Sequence, residues 1–261
     1  MFLNRLCQTG IMQILKLGGS VLTKKHGFME ADAASIAKLA ATVGKAYKAG
    51  VRDLIIVHGA GSFGHAPVIK YKLNEGVRTK KQTWACALTH SACSHFSSHI
   101  TDALIKAGVP AISVPPADIA RSKNRRIVSM DKKVVFDRLK AGYVPVLFGD
   151  MLPDSALGCS VCSGDQIVSY FGKYASRVVM ATNVDGVLED GKVIPRITRK
   201  NFSSISPHLS CSGAPDVTGG MAGKIREIMK CRAPAYIVNA KKPARVLALL
   251  LGKKAISTRI N

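Results

Sequence analysis

The chain has 261 residues, 47% of them hydrophobic, with 23 Gly and 11 Pro; this is enough to bury a sizeable core, and it excludes the low-complexity and disordered classes. Lys and Arg number 38 against 16 Asp and Glu, a formal net charge of +22. The basic residues are spread along the whole chain, in short clusters such as Lys123–Arg126, Lys132–Lys133 and Lys241–Lys242, whereas nucleic-acid binders concentrate charge on one face, helix or tail. No nucleic-acid partner is therefore expected, and the charge suits the steering of small anions.

Seven Cys without framework spacing read as reduced thiols of a cytoplasmic protein. Apolar stretches fall far short of the ~20 residues that a membrane span needs, so no membrane partner is expected. Residues Met1–Gly10 lack the apolar core of a signal peptide. Met1–Ile11 is expected to be an extension with no core role, with Met12 an alternative start.

In chain order, Gln13–Leu17 reads as a short buried strand running into Gly18-Gly19-Ser20. Ala31–Ala49 has helical apolar spacing and Gly50 placed to end it. Asp53–His58 is a second buried strand, followed by a glycine loop over Gly59–Gly64. Gln82–Ala107 reads as a long helix closed by Gly108, Pro110–Val114 as a strand, Lys132–Lys140 as a helix stopped by Gly142, and Val144–Phe148 as a strand ending at Gly149-Asp150. A hairpin-like insert spans Met151–Val161. Ser163-Gly164-Asp165 opens a helix through Tyr174; Arg177–Thr182 is a strand leading into Asn183–Val187, and Asp190-Gly191 marks a small hairpin. Thr218-Gly219-Gly220 opens a helix to Lys230; Ala235–Asn239 is a strand, Pro243–Leu251 a helix and Ala255–Arg259 a last strand.

Strands alternating with helices at this pitch predict a three-layer αβα sandwich around a mostly parallel sheet. Ligands of such sheets sit beyond the carboxyl ends of the strands, where the loops after Leu17, His58, Phe148 and Thr182 fall. Gly59–Gly64 satisfies G-x-G-x-x-G, but the strand at Ala111–Val114 ends in Pro115-Pro116 without the ribose-binding acid of a dinucleotide site. Gly223-Lys224 is followed by Ile225, and Thr218 stands where a Walker loop needs Gly. What remains is several loops acting together. Glycine frees backbone N–H groups for phosphate, and Lys16 and Lys224 supply point charges beside two glycine turns, which is what phosphoryl transfer asks of a protein.

Lys16–Ser20 (KLGGS), Val57–His65 (VHGAGSFGH), Gly149-Asp150, Ser163-Gly164-Asp165, Ala181–Val187 (ATNVDGV) and Asp216–Lys224 (DVTGGMAGK) occur in the order found in the amino-acid-kinase superfamily. The chain resembles that superfamily over essentially all of Met12–Asn261, and the S-F-G-H ending of the second loop is similar to isopentenyl phosphate kinases and fosfomycin kinases. The resemblance implies the amino-acid-kinase fold, with an acceptor-binding part at about 12–150 and a nucleotide-binding part at about 163–261. It also implies ATP with Mg2+ as cofactors and a homodimer.

Residue by residue, it implies that Lys16, Gly18, Gly19 and Ser20 hold the ATP phosphates, that Lys25 stabilises the transferring group, and that Lys224, following Gly220, reaches the β/γ-phosphates. Thr182, Asp185 and Gly186 frame base and ribose. The acceptor's phosphate lies on Gly59, Ala60 and Gly61, with His65 donating a hydrogen bond, and Gly149, Gly164 and Asp165 complete the site. Asp150 is expected to orient the lysines. Isopentenyl phosphate is the expected acceptor, with fosfomycin or another small acceptor as the alternative. Cys86, Thr89, Ala92, Cys93 and Phe96 lie at helical spacing where the resembling enzymes wall the acceptor's tail; core packing explains each of them equally well. Ala60, Gln166 and Asn183 depart from the family's usual residues. Cys159 and Cys162 have metal-like spacing, and His208 with Cys211 could complete a set; two thiols three apart within a hairpin are weak evidence for zinc, and no metal-ligating residues are assigned. His90, His95 and His99 read as a packed or solvated helix face.

Overall fold

The computed structural model describes residues 12–24, 28–209 and 220–261. Met1–Ile11, Lys25 and Thr218-Gly219 therefore lie outside the described residues. In chain order the elements are β1 (Gln13–Leu17), α1 (Gly19–Leu22), α2 (Ala33–Lys48), β2 (Leu54–His58), α3 (Gly61–Lys70), α4 (Lys80–Lys106), β3 (Ala111–Ser113), α5 (Pro116–Ile119), β4 (Ala120–Lys123), β5 (Arg126–Met130), α6 (Lys132–Lys140), β6 (Val144–Phe148), β7 (Asp150–Asp154), β8 (Gly158–Cys162), α7 (Gly164–Phe171), β9 (Arg177–Thr182), β10 (Leu188–Glu189), β11 (Lys192–Val193), β12 (Arg196–Ile197), α8 (Arg199–Ile205), α9 (Gly220–Ile228), β13 (Ala235–Asn239), α10 (Pro243–Leu250) and β14 (Thr258–Ile260).

The main sheet runs in the order β12-β14-β13-β9-β1-β2-β6-β3. From β13 to β3 every pairing is parallel, and only the step from β13 to β14 is antiparallel. Successive side chains of a strand point to opposite faces, and each central strand divides its residues accordingly. Ile14, Ile55, Val57, Val178 and Met180 join α6, α7 and α9 through Phe136, Ile167, Phe171 and Ile225. Leu15, Leu17, Leu54, Ile56 and Val179 join α2, α4 and α10 through Leu39, Val43, Phe96, Ile100 and Val246. The result is the expected three-layer αβα sandwich. A strand buried on both faces has no polar alternation, which is why these segments read as continuous apolar runs.

Helix starts follow from caps. Asp32 accepts from the Ser35 amide at 2.9 Å, Thr79 from Gln82 at 3.2 Å and Ser163 from Gln166 at 3.3 Å. The long helix accordingly begins at Lys80, ahead of the expected Gln82, because Thr79 supplies the cap. Two further expectations are corrected. The segment Gly59–Gly64 is a loop only as far as Ala60, with α3 starting at Gly61. Residues 116–130, which the sequence left unassigned, form α5, β4 and β5; with the expected hairpin β7–β8 they build a second sheet, β5-β4-β7-β8. Asp154 holds its two turns together by accepting from the backbone amides of Asn124, Arg125, Ala156 and Leu157.

Candidate active site

Strands β9, β1, β2 and β6 are neighbours, so the four glycine-bearing loops after them emerge side by side. Their first residues still continue the ladder: Gly18 donates to Ala181 O, Gly59 to Leu17 O and Gly149 to His58 O, all at 2.8–3.0 Å. The loops then touch. A Cβ on Gly19 would stand 2.4 Å from Gly61 N, and one on Gly59 would stand 2.7 Å from Gly19 N. Gly61 has φ +53°, in the left-handed region that glycine alone enters cheaply. Thr23 ties the two turns, its hydroxyl donating to Gly19 O at 3.0 Å and accepting from Ser62 N at 3.4 Å. Two loops 40 residues apart thus form one surface of close-packed backbone.

Ala60, one of the departures, fits here because its methyl occupies the space that Gly64 and Gly149 leave open; a Cβ on Gly64 would lie 2.5 Å from it. Gly149 itself abuts the Ala60 amide. Ser20 is exposed beside Gly19, and His65 lies half-buried on the second turn of α3.

Lys16 occupies a strand position whose neighbours Ile14 and Val57 face the apolar core, and it is only 6% exposed. Its side chain runs past Gly164, where a Cβ would come 3.2 Å from Lys16 Cε, to reach Asp165 in the first turn of α7 at 2.6 Å. Lys224, in the first turns of α9, meets the other oxygen of the same carboxylate at 3.1 Å. Burial pulls the Lys16 ammonium down to about 8, against the attraction of Asp165 and with the repulsion of Lys224. Burial pushes Asp165 up, but the charges of Lys16 and then Lys224 win and hold it at about 2. Residues from the two ends of the chain, with α9 opening at Gly220 (φ +64°), make a Lys–Asp–Lys cluster against the glycine loops.

Asp165, expected on the acceptor side, is therefore the carboxylate that orients the lysines. Asp150, expected in that role, points elsewhere. Fully buried, it lies 2.9 Å from His90 Nδ1 and accepts from the amides of Ala117 and Met151. This partnership raises the His90 imidazole above its usual range, mainly through the hydrogen bond to Asp150. The sequence offered no signal for it, since the partners lie 60 residues apart and α4 carries three histidines that look alike.

In the loop after β9, Thr182 ends the strand with its hydroxyl 3.2 Å from Asn183 Oδ1. Asp185 is held by Asn239 Nδ2 at 2.7 Å and Arg245 at 2.9 Å, while Gly186 packs where a Cβ would strike Val193 and Thr258. Gln166, a second departure, ties α7 to β5 and the β4–β5 turn by accepting from Ile127 N and donating to Arg125 O. Along α4, Thr89, Cys93 and Phe96 are core residues, with the Thr89 hydroxyl donating to Ala85 O. Cys86, unlike Thr89 and Cys93, is half-exposed; it borders a cluster of Val68, Leu73, Ala85 and Met151 between α3, α4 and β7–β8. Cys159 and Cys162 lie three apart on β8, on opposite faces, which rules them out as a joint ligand pair.

Close backbone amides, two ammonium groups and a carboxylate that aligns them can seat a chain of phosphates and neutralise charge as it moves. The family model of the amino acid kinase family matches residues 12–239, and the chain belongs to that family. Among its relatives, the isopentenyl phosphate kinase of Methanothermobacter thermautotrophicus is 35% identical, covering 95% of this chain and 98% of its own. That of Methanocaldococcus jannaschii is 34% identical, covering 93% and 96%. A solved isopentenyl phosphate kinase structure superposes with a TM-score of 0.82 at 33% identity, covering 96% of this chain and all of its own. A carbamate kinase of Giardia lamblia shares the fold, with a TM-score of 0.65 at 15% identity.

Proposed function

We propose that this chain catalyses ATP-dependent phosphorylation of isopentenyl phosphate to isopentenyl diphosphate by direct in-line transfer. The observation that carries the reading is the Lys16–Asp165–Lys224 cluster beside the touching Gly19 and Gly61 turns, in a chain so similar to isopentenyl phosphate kinases.

The acceptor part, about 12–150, seats the acceptor's phosphate on the amides of Gly59, Ala60 and Gly61, with His65 donating a hydrogen bond. The nucleotide part, about 163–261, works with Lys16, Gly18, Gly19 and Ser20 to hold ATP, and Thr182, Asp185 and Gly186 border its base and ribose. An acceptor phosphate oxygen attacks the γ-phosphorus, the bond to ADP's oxygen breaks, and the electron pair leaves on ADP. A phosphate oxygen is already a competent nucleophile, so no general base is needed. Lys16 and Lys224 neutralise charge on the transferring group, and Lys25 is assigned the same role. Both oxygens of Asp165 are engaged by lysines, so Mg2+ would be carried mainly by the phosphate oxygens and water and would supply further charge neutralisation there. The apolar cluster of Val68, Leu73, Ala85 and Met151, bordered by Cys86, receives the five-carbon tail. A homodimer in the cytoplasm completes the reading, and sedimentation tests the dimer.

An ADP-release assay against isopentenyl phosphate, dimethylallyl phosphate, a ten-carbon isoprenoid phosphate, fosfomycin and acetylglutamate tests the function. Isopentenyl phosphate should give the highest kcat/KM. Preference for fosfomycin or acetylglutamate overturns it.

A further inference from the structure

Cys86 on α4 and Cys159 on β8 both pack against the small apolar cluster of Val68, Leu73, Ala85 and Met151. Both are half-buried thiols, so a small oxidant can reach them. They differ from the other cysteines of the described residues. Cys93 and Cys162 are buried, and burial pushes their thiols, like that of Cys231, well above the ordinary range, which makes them inert. Cys86 moves the opposite way: the neighbouring Cys159 thiol favours its thiolate, and the His90 imidazole adds to the pull, against burial and the Asp150 charge. The Cys159 thiol is pushed up, first by the Cys86 thiol beside it and then by burial. One member of the pair is therefore the nucleophile and the other holds the proton, an arrangement suited to oxidation followed by resolution.

We infer that Cys86 and Cys159 form a reversible disulfide on exposure to a hydroperoxide, and that this bond obstructs the acceptor's tail site. The second half rests on the tail lying in this cluster, as proposed above. The chemistry balances. The Cys86 thiolate attacks one oxygen of hydrogen peroxide; the S–O bond forms, the O–O bond breaks, and hydroxide leaves. The Cys159 sulfur then attacks the sulfenic sulfur, the S–S bond forms, and the second oxygen leaves as hydroxide. Each hydroxide takes up one proton, one of them supplied by the pair itself, so that two thiols and one peroxide give one disulfide and two waters. Peroxide is reduced and the two sulfurs are oxidised. The bond would pin α4 to the β7–β8 hairpin across the floor of the cluster and remove the freedom these elements need to part around an isoprenoid chain.

The test treats the whole chain with hydrogen peroxide, alkylates the remaining thiols and maps peptides by mass. The expected product is a linked peptide joining Cys86 to Cys159, lighter by two hydrogens and restored by dithiothreitol. Kinetics on the same sample should show KM for isopentenyl phosphate raised about tenfold, the scale of losing apolar contacts in a pocket, with KM for ATP unchanged. C159S should lose both the linked peptide and the peroxide response, whatever its own starting rate. Oxidation elsewhere without the Cys86–Cys159 peptide overturns the disulfide. A linked enzyme with unaltered KM for isopentenyl phosphate overturns the obstruction. If isopentenyl phosphate is no substrate at all, the proposed function fails while the mass map still decides the disulfide.

Discussion

Asp165 carries two ammonium groups with 9% of its side chain exposed. Removing one partner of a buried ion pair leaves uncompensated charge and costs about 3–5 kcal/mol. Asp165→Asn keeps the shape and removes the charge, so urea unfolding should show a loss of about 3 kcal/mol, and kcat should fall about a hundredfold as the lysines lose their alignment. The lysine beside it sets a pH limit. Lys16 is lowered from 10.5 to about 8 in the folded chain, so between these values the unfolded chain binds the extra proton. Stability attributable to Lys16 accordingly rises with pH across that window, while the ammonium proposed to meet the ATP phosphates disappears. The kcat/KM for ATP, which reports the free enzyme, should decline above about pH 8 even as the chain resists unfolding no less well; a flat kcat/KM up to pH 10 would remove Lys16 from the phosphate site. Asp165 has the same sense in a lower window. Held at about 2, its contribution is complete above 3.8 and is lost only as pH falls through 2.

At the scale of elements, the contact between the turns after β1 and β2 matters most. A side chain on Gly19 meets backbone, the Gly61 amide at 2.4 Å, and backbone cannot swing aside as a flexible side chain can. Gly19→Ala should push the two turns proposed to bear the phosphates apart and lower kcat/KM for both substrates together by about a hundredfold, the scale of a 1 Å misplacement. Steady-state kinetics with each substrate varied in turn checks this; a defect confined to one substrate would mean that the turns act independently. The same scale shows where sequence patterns were read well. β1, β6, β9 and β13 have the bounds their apolar runs predicted, because a short strand buried on both faces is marked by its composition alone. Residues 116–130 carry no local signal because β5 buries only Met130 among exposed and half-buried positions and depends on Asp154, a residue of a later hairpin, to close its turn.

For the whole molecule the net charge of +22 meets substrates that are both anions. Such a field raises association rates and is screened by salt, with a Debye length near 10 Å at 0.1 M. Raising sodium chloride from about 50 to 500 mM should therefore lower kcat/KM for ATP and isopentenyl phosphate several-fold while kcat moves little. Stopped-flow binding would locate the effect in the association rate; equal losses in kcat would instead mean that salt disturbs the site itself.

The amino-acid sequence alone determined the layered α/β architecture, the glycine turns at the strand ends and the lysines beside them, because periodicity and turn chemistry are properties of neighbouring residues. Which carboxylate serves the lysines was decided only by the tertiary structure. Gly149-Asp150 and Gly164-Asp165 are both glycine–aspartate pairs near the same sheet edge, and nothing local distinguishes them. The chain's path does: α7 turns the Asp165 carboxylate toward the face that Lys16 shares with Ile14, while Asp150 enters β7 and is taken up by His90 on α4. A charge finds its partner through space, and the distances that set its energy exist only once distant segments have packed.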